Sequence, residues 1–313
     1  MKKIFITGSS GCIGHYLLEN LIENTEHELF LLVRDPDRLN FNYQSRTGIH
    51  ILLGNLENIG EHADVLKTVN TAILVATSWG GDTESFEINV QKTLELIGLL
   101  DFSICEQVIY FSTASILNRQ NQPLPEAGEL GTNYVRTKYI AHARLEELPI
   151  ANKITTIYPT LVFGGDKNKP YSHISGGLPE VIKFMDLIRW FKADASFHFI
   201  HAQDIAQVVA YLVDHPPQEG ENRDFVLGNQ RIMLDEAVAE ICQYLGKKVY
   251  FQIPFSIGWA NFFIRVLKIK MAAWDRFSLE YRHFYHAKTF TPASFGLSNY
   301  CATVAELFQE RGI

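Results

Sequence analysis

The sequence predicts a doubly wound parallel α/β sheet followed by a smaller C-terminal α/β part. Short runs that are apolar throughout alternate with helical patterns over the first half of the chain. Runs of that kind suit strands buried on both faces of a parallel sheet, joined by helical crossovers. An apolar strand, a turn with three glycines and a helical pattern follow one another within the first 25 residues. Past Gly164-Gly165 the alternation loosens, which marks the change to a second part.

The elements follow in order. Ile4-Phe5-Ile6 is the first strand, and Cys12 to Thr25 a helix with Ile13, Leu17, Leu21 and Ile22 on one face. Leu29 to Val33 is a second strand, stopped by the polar turn Arg34-Asp35-Pro36. Ile49 to Leu53 is a third strand and Thr71 to Ala76 a fourth, with a helix from about Glu84 to Asp101. Val108 to Phe111 is a fifth strand, and the loop Ser115 to Gly131 leads to a helix at Asn133 to Leu148. Ile154 to Phe163 reads as one sixth strand. Beyond a polar loop at Asp166 to Gly177, Pro179 to Lys192 reads as helix, Phe197 to Ile200 as strand and Asp204 to Val213 as helix. Phe225 to Leu227 and Lys248 to Ile253 read as strands flanking a helix at Leu234 to Leu245. The expected division is a nucleotide-binding domain over 1–164, to which segments at about 196–228 cross back, and a mostly substrate-binding part over 165–313.

Composition narrows the class. The chain has 313 residues, 47% of them hydrophobic, and a formal net charge of −7. It has no basic run, so a nucleic-acid partner is not expected. Cys12, Cys105, Cys242 and Cys301 form no CxxC pair, which indicates reduced thiols rather than zinc or disulfides. The glycine turn begins before a signal peptide could form, and a cytoplasmic protein is the expectation. The apolar stretch Pro254 to Ile269 is interrupted by Asn261, Arg265 and Lys268, so it is not a membrane span. His198, His201, His283 and His286 show no metal-ligand spacing with carboxylates.

The glycine turn carries the first chemistry. Where a strand end meets a helix N-terminus, unpaired N–H groups and the helix dipole favour a phosphate. Gly8 permits the tight turn, Gly11 lets the backbone approach a pyrophosphate and Gly14 lets helix and strand pack. Ser10, Cys12 and Ile13 complete that cradle. At the end of the second strand Arg34 could pair with a 2′-phosphate, which favours NADP, while Asp35 could still serve NAD. Asn55 and Leu56 end the third strand where an adenine would sit, and Ala76 and Thr77 end the fourth.

Tyr134 and Lys138 stand at i and i+4 on an inward helix face that continues through Ala141, Leu145 and Leu148. An ammonium beside a phenol lowers the phenol's pKa, which would prepare Tyr134 for proton transfer. At the end of the fifth strand Thr113 is the hydroxyl best placed to bond a reacting oxygen, with Ser112 and Ser115 as alternatives. Trp79 would line a substrate pocket.

Together these residues resemble the extended short-chain dehydrogenase/reductase superfamily, the NAD(P)-dependent epimerase/dehydratase branch. Thr7 to Gly14 is similar to its TGxxGxxG turn, Tyr134 to Lys138 to YxxxK, and Ser112-Thr113 to its Ser-[Ser/Thr] pair. Weaker likenesses follow in order at Leu74-Val75-Ala76, Asn89 to Thr93, Pro159 to Gly164 and His201 to Ile205. The resemblance implies a Rossmann-type domain, a catalytic Thr113–Tyr134–Lys138 set, and Tyr158 and Pro159 beside the cofactor. It implies hydride transfer between nicotinamide and a C–OH or C=O substrate, or alternatively a nucleotide-sugar epimerase that retains its cofactor. A non-catalytic NADP(H) sensor is the reading from another class. Tyr158 departs from the branch's usual Arg, Leu117-Asn118 from its Tyr-Gly, and Asn55 from its frequent Asp. Ala114 and Ser115 stand where 4,6-dehydratases carry acids, which argues against dehydration.

The stretch Phe251 to Tyr285 is rich in aromatics, and Phe255, Trp259, Phe262, Phe263 and Val266 fall at helical spacing. It would wall a pocket for an apolar or aromatic small molecule, form a small core, or make the interface of a homodimer.

Overall fold

A computed structural model describes residues 1–312. A parallel sheet forms from β1 (Lys3–Thr7), β2 (Glu28–Val33), β3 (Ile49–Leu53), β4 (Thr71–Leu74), β5 (Gln107–Phe111) and β6 (Ile154–Pro159). Two short strands, β7 (Leu161–Phe163) and β8 (Phe199–His201), pair with each other outside it. The seventh strand of the main sheet is β9 (Asp224–Leu227). The spatial order is β9-β6-β5-β4-β1-β2-β3, so the winding direction reverses between β1 and β4. This is the Rossmann arrangement, in which the reversal opens a crevice at the strands' carboxyl ends.

Alternation along each strand builds two cores. Ile4, Ile6, Leu29, Leu31, Ile73, Ile109 and Ile157 face one side, under α1 (Cys12–Asn24). Phe5, Phe30, Leu32, Ala72, Leu74, Val108 and Tyr110 face the other, under α2 (residues 82–98) and α3 (Asn133–Glu146). Helix α2 is α-helical at both ends and takes a π-helical turn at Glu87–Lys92. The other helices of the described residues longer than two turns are α4 (His173–Lys183), α5 (Ala202–Asp214), α6 (Leu234–Tyr244), α7 (Ile257–Val266), α8 (Ala273–Tyr281) and α9 (Val304–Arg311). Helix α5 completes the first core through Ile205, Val208, Val209 and Leu212. A smaller core gathers Leu178, Met185, Val238, Ile241, Leu307 and Phe308 from α4, the turn after it, α6 and α9. Among the described residues no helix is long and apolar enough to cross a membrane.

Several elements differ from the sequence expectation. The run Ile154 to Phe163 is two strands: Thr160 binds the Leu227 carbonyl through both its N–H and its hydroxyl, and the chain then leaves the main sheet to pair with β8. Residues 179–192 are not one helix, because α4 begins at His173, ends at Lys183 and is followed by a separate turn at Met185–Ile188. Of the strand expected at Lys248 to Ile253, only Ile253–Pro254 pairs, with Phe191–Lys192. The aromatic residues of α7 form no core, since Ala260 is the one buried residue of that helix.

The C-terminal region returns to the edge of the main sheet. Phe290 bridges Leu227, with its N–H on the Val226 carbonyl at 2.8 Å and its carbonyl taking the Gly228 N–H at 3.1 Å. The buried Asp204 carboxylate at the start of α5 accepts the N–H groups of Tyr300 (2.6 Å) and Cys301 (3.2 Å).

Candidate active site

A cleft of about 870 Å³ runs along the carboxyl ends of the parallel strands, from the β2 and β3 ends to α4 and α8. The glycine turn forms its floor. Gly8 has φ 78°, and a Cβ on it would sit 2.7 Å from the Ala76 nitrogen. A Cβ on Gly14 would lie 2.1 Å from the Gly8 oxygen. Gly11 differs: a Cβ there would meet only the Gly8 oxygen, at 3.4 Å, which is an ordinary contact. Packing thus demands Gly8 and Gly14, whereas Gly11 leaves bare backbone facing the cleft. Ser10, Cys12 and Ile13 line the same floor, at the N-terminus of α1, and burial pushes the Cys12 thiol up to about 12. His15 braces the turn. Its Nδ1–H meets the Gly11 carbonyl at 2.9 Å and its Nε2 accepts the Asn40 N–H at 3.2 Å, so one neutral ring links the turn to the loop after β2. Burial lowers its pKa, consistent with that tautomer.

Arg34 and Arg38 both line the end of the cleft beside β2. Asp35 does not line it, because its carboxylate accepts the Asp37 N–H at 3.1 Å and caps the turn Pro36–Arg38. Asn55 and Leu56 line the cleft, but the Asn55 side chain is held in a turn by Glu57 (3.1 Å) and the Asn58 N–H (3.2 Å).

Thr113, Tyr134 and Lys138 meet midway along the cleft. Thr113 sits where β5 ends, and its Oγ1 accepts the Ser115 N–H at 3.3 Å. Tyr134 lies in the first turn of α3, whose N-cap Thr132 accepts the Val135 N–H. Lys138, one turn on, is buried and donates to the Phe111 carbonyl at 2.6 Å, with its ammonium 4.7 Å from the Tyr110 ring centre. Burial pulls its pKa down to about 7. Burial raises Tyr134 to about 12, and a hydrogen bond from Thr113 offsets part of that. The expectation of a phenol lowered by Lys138 is therefore corrected. The lysine is anchored on β5, and desolvation dominates both groups. Ser112 Oγ is buried beside them without a partner among the described residues.

Trp79 stacks on the Tyr134 ring, with centroids 3.8 Å apart and planes 13° apart, and its other neighbour in the stack is His173 at 5.8 Å. Ser115, Ile174 and Trp274 also line this end, as do Ala76, Thr77 and Pro159. Tyr158 does not. It lies on the strand face opposite Pro159, and its hydroxyl donates to Asp224 at 3.1 Å and lies 3.1 Å from His142 Nδ1. The expectation that its side chain meets a cofactor is corrected by that alternation.

Asn89 falls in one of the weaker family-like motifs, which assigns it no role. Its side chain takes the Thr77 hydroxyl (2.9 Å) and the Ser78 N–H (2.8 Å), and donates to the Ser78 carbonyl (2.9 Å) and Thr137 (3.0 Å). It lies in the π-helical turn and ties the β4 loop to the helix that carries Tyr134 and Lys138. Sequence reasoning misses Arg38, His15, His173 and Asn89 as site residues. Arg38 carries a signal as a second arginine in the turn after β2, and Asn89 a weak one as the first residue of its motif. Three of the histidines without ligand spacing have structural partners: His198 on the Asn229 carbonyl, His201 capping α5 and His283 on Ser196.

The profile of the NAD dependent epimerase/dehydratase family matches residues 4–228. The chain belongs to that family. Solved structures with the epimerase/dehydratase fold superpose over most of its length. The terminal R domain from the myxalamid PKS-NRPS biosynthetic pathway gives a TM-score of 0.72 at 16% identity, covering 98% of this chain and 88% of that one. The dTDP-glucose 4,6-dehydratase from Bacillus anthracis str. Ames, in complex with NAD, gives 0.64 at 14% identity over 99% and 96%. The UDP-N-acetylglucosamine 4-epimerase from Methanobrevibacter ruminantium M1, in complex with UDP-N-acetylmuramic acid, gives 0.59 at 16% identity over 82% and 85%. A search of curated proteins gives no match. This epimerase/dehydratase-family chain shares a fold with NAD-binding enzymes, and its glycine cradle fits a dinucleotide: Gly11 leaves open the backbone that a pyrophosphate needs.

Proposed function

We propose that the chain is an NADP(H)-dependent oxidoreductase that exchanges hydride with a small substrate bearing C=O or C–OH. The observation that carries this reading is the convergence of Thr113, Tyr134 and Lys138 on the cleft whose floor is the glycine turn. The backbone at Gly11 to Ile13 would hold the pyrophosphate, and Lys138 the nicotinamide ribose. When bound, the nicotinamide supplies or accepts the hydride. Tyr134 is protonated at neutral pH, so in the reducing direction it gives its proton to the substrate oxygen. Thr113 holds that oxygen by hydrogen bonding and orients the phenol.

The cofactor preference rests on the turn after β2. Asp35 is engaged in its own cap, while Arg34 and Arg38 face the cleft. Arg34→Ala with Arg38→Ala is expected to weaken NADP(H) binding by about 10–100-fold, the weight of one or two charge-assisted hydrogen bonds, and to leave NAD(H) nearly unchanged. Calorimetry with both dinucleotides reads this directly, and equal losses for the two would remove the 2′-phosphate assignment.

A nucleotide-sugar epimerase is the second reading, favoured by the likeness to the 4-epimerase above. The lining of the substrate end speaks for the reductase. It includes Trp79, His173, Ile174 and Trp274 beside the hydroxyl of Ser115, whereas the arginines of the cleft stand at the opposite end, beside β2. An apolar or aromatic carbonyl compound suits such walls better than a sugar diphosphate. The deciding experiment is a carbonyl panel followed at the nicotinamide absorbance after the dinucleotide affinities are known. If neither dinucleotide binds, the reading is wrong. A cofactor that stays bound through turnover with no net nicotinamide change would select the epimerase.

A further inference from the structure

We propose that the exposed face built around α7 seats the protein on an anionic lipid bilayer surface. Helix α7 presents its apolar side to solvent: Trp259, Phe262, Phe263 and Val266 stand at helical spacing, and Trp259 and Phe262 are each 54% exposed. The surface continues beyond the helix. Phe255 stacks on Phe263 (6.3 Å), Trp190 on Phe251 (5.0 Å), and Phe184 and Leu187 extend the patch past α4. A contiguous apolar surface of this kind marks an interaction site.

Charge identifies the occupant. Residues 241–274 contain no Asp or Glu and carry five Lys or Arg, in a chain whose net charge is −7. Lys247 is paired with Asp186 at 2.8 Å. Lys248, Arg265, Lys268 and Lys270 are exposed, and no carboxylate lies within ion-pair distance of them among the described residues. Exposed Trp and Phe on a short helix, flanked by cations and free of acids, is the pattern of a helix lying in a lipid interface, with the rings at the acyl boundary and the ammonium groups on anionic headgroups. A second copy of this chain is the less suitable occupant, since a two-fold pairing would set these cations against themselves.

The seated face adjoins the cleft. Helix α4 starts in the cleft at His173 and Ile174 and ends beside this patch at Phe184, and Trp274 lines the cleft where the acid-free stretch ends. Resting on the reductase reading, the substrate class is then a carbonyl compound dissolved in the bilayer.

The test uses the purified full chain and sedimentation with phosphatidylcholine vesicles, with and without about 30% phosphatidylglycerol. The expected result is affinity at least ~10-fold higher for the anionic vesicles, given a factor of about five per cation near such a surface. High salt lowers the binding. Lys268→Glu with Lys270→Glu lowers it at least ~20-fold, and Phe262→Asp with Phe263→Asp abolishes it, with unfolding midpoints unchanged in both. The proposal is overturned if anionic vesicles bind no better than neutral ones or if these variants bind normally. It is equally overturned if the wild type sediments as a dimer that Phe262→Asp dissociates, which would make the face a subunit interface. The assay contains no dinucleotide or substrate, so its outcome is independent of the reductase reading.

Discussion

Tyr134→Phe lowers turnover of a reducible carbonyl substrate by about 10²–10⁴-fold, the usual weight of a positioned proton donor, and leaves dinucleotide affinity within about twofold. The phenol is the group best suited to proton donation. It lies in the cleft with Thr113 and is protonated at neutral pH because burial holds it near 12. Phe preserves the ring, and hence the stack with Trp79 at 3.8 Å. Stopped-flow reduction with saturating cofactor separates proton donation from binding. Full activity in the variant would move the acid elsewhere, with Thr113 and the unpartnered Ser112 hydroxyl the nearest groups.

Lys138→Met is expected to do two opposite things. It lowers activity by about 10²-fold, and it raises the unfolding free energy at pH 7 by on the order of 2–4 kcal/mol. The gain arises because a buried ammonium is expensive, even on the Phe111 carbonyl, while a thioether of similar length packs against Tyr110 at little cost. The sign with pH follows from the shift. Lysine titrates near 10.5 when unfolded and near 7 in the fold, so between those values the unfolded chain binds the extra proton. Wild-type stability from this group therefore rises as pH climbs from about 7 towards 10.5, and is flat below 7. Urea unfolding at pH 7 and pH 9.5 should show the gap between variant and wild type closing. A gap of constant size would mean that Lys138 is not held in the low-pKa state.

The parts of this molecule legible in the sequence are those where one residue type answers one physical demand. Gly8 and Gly14 are required by φ or by backbone approach, and the strands β1, β2, β4 and β5 are apolar because both faces are covered. What is not legible depends on neighbours distant in sequence. A motif position places Tyr158 beside the cofactor, but alternation on β6 and an acceptor on β9 turn it away. The i,i+4 spacing puts Tyr134 and Lys138 on one face, yet it cannot reveal that the ammonium is held by β5 and that desolvation outweighs the pair. Helical periodicity identifies the apolar side of α7 and is silent on whether protein covers it. Asn89 stands in a weak motif that gives it no role, since a polar residue in a helical stretch reads as solvated surface, and only the tertiary fold shows its four bonds.

The return of the chain at Phe290 bears on how this molecule comes apart. The family match ends at residue 228, yet the strand that closes it, β9, is hydrogen-bonded on its outer side by a segment roughly sixty residues later. Cutting the chain after the match would leave Val226 and Gly228 with open backbone groups and strip Phe290 from Phe225, 5.0 Å away. Asp204 would likewise be left a buried carboxylate without the Tyr300 and Cys301 amides. The two parts are thus laced at the sheet edge, and the expected result is a single cooperative melting transition, with limited proteolysis releasing no separable half.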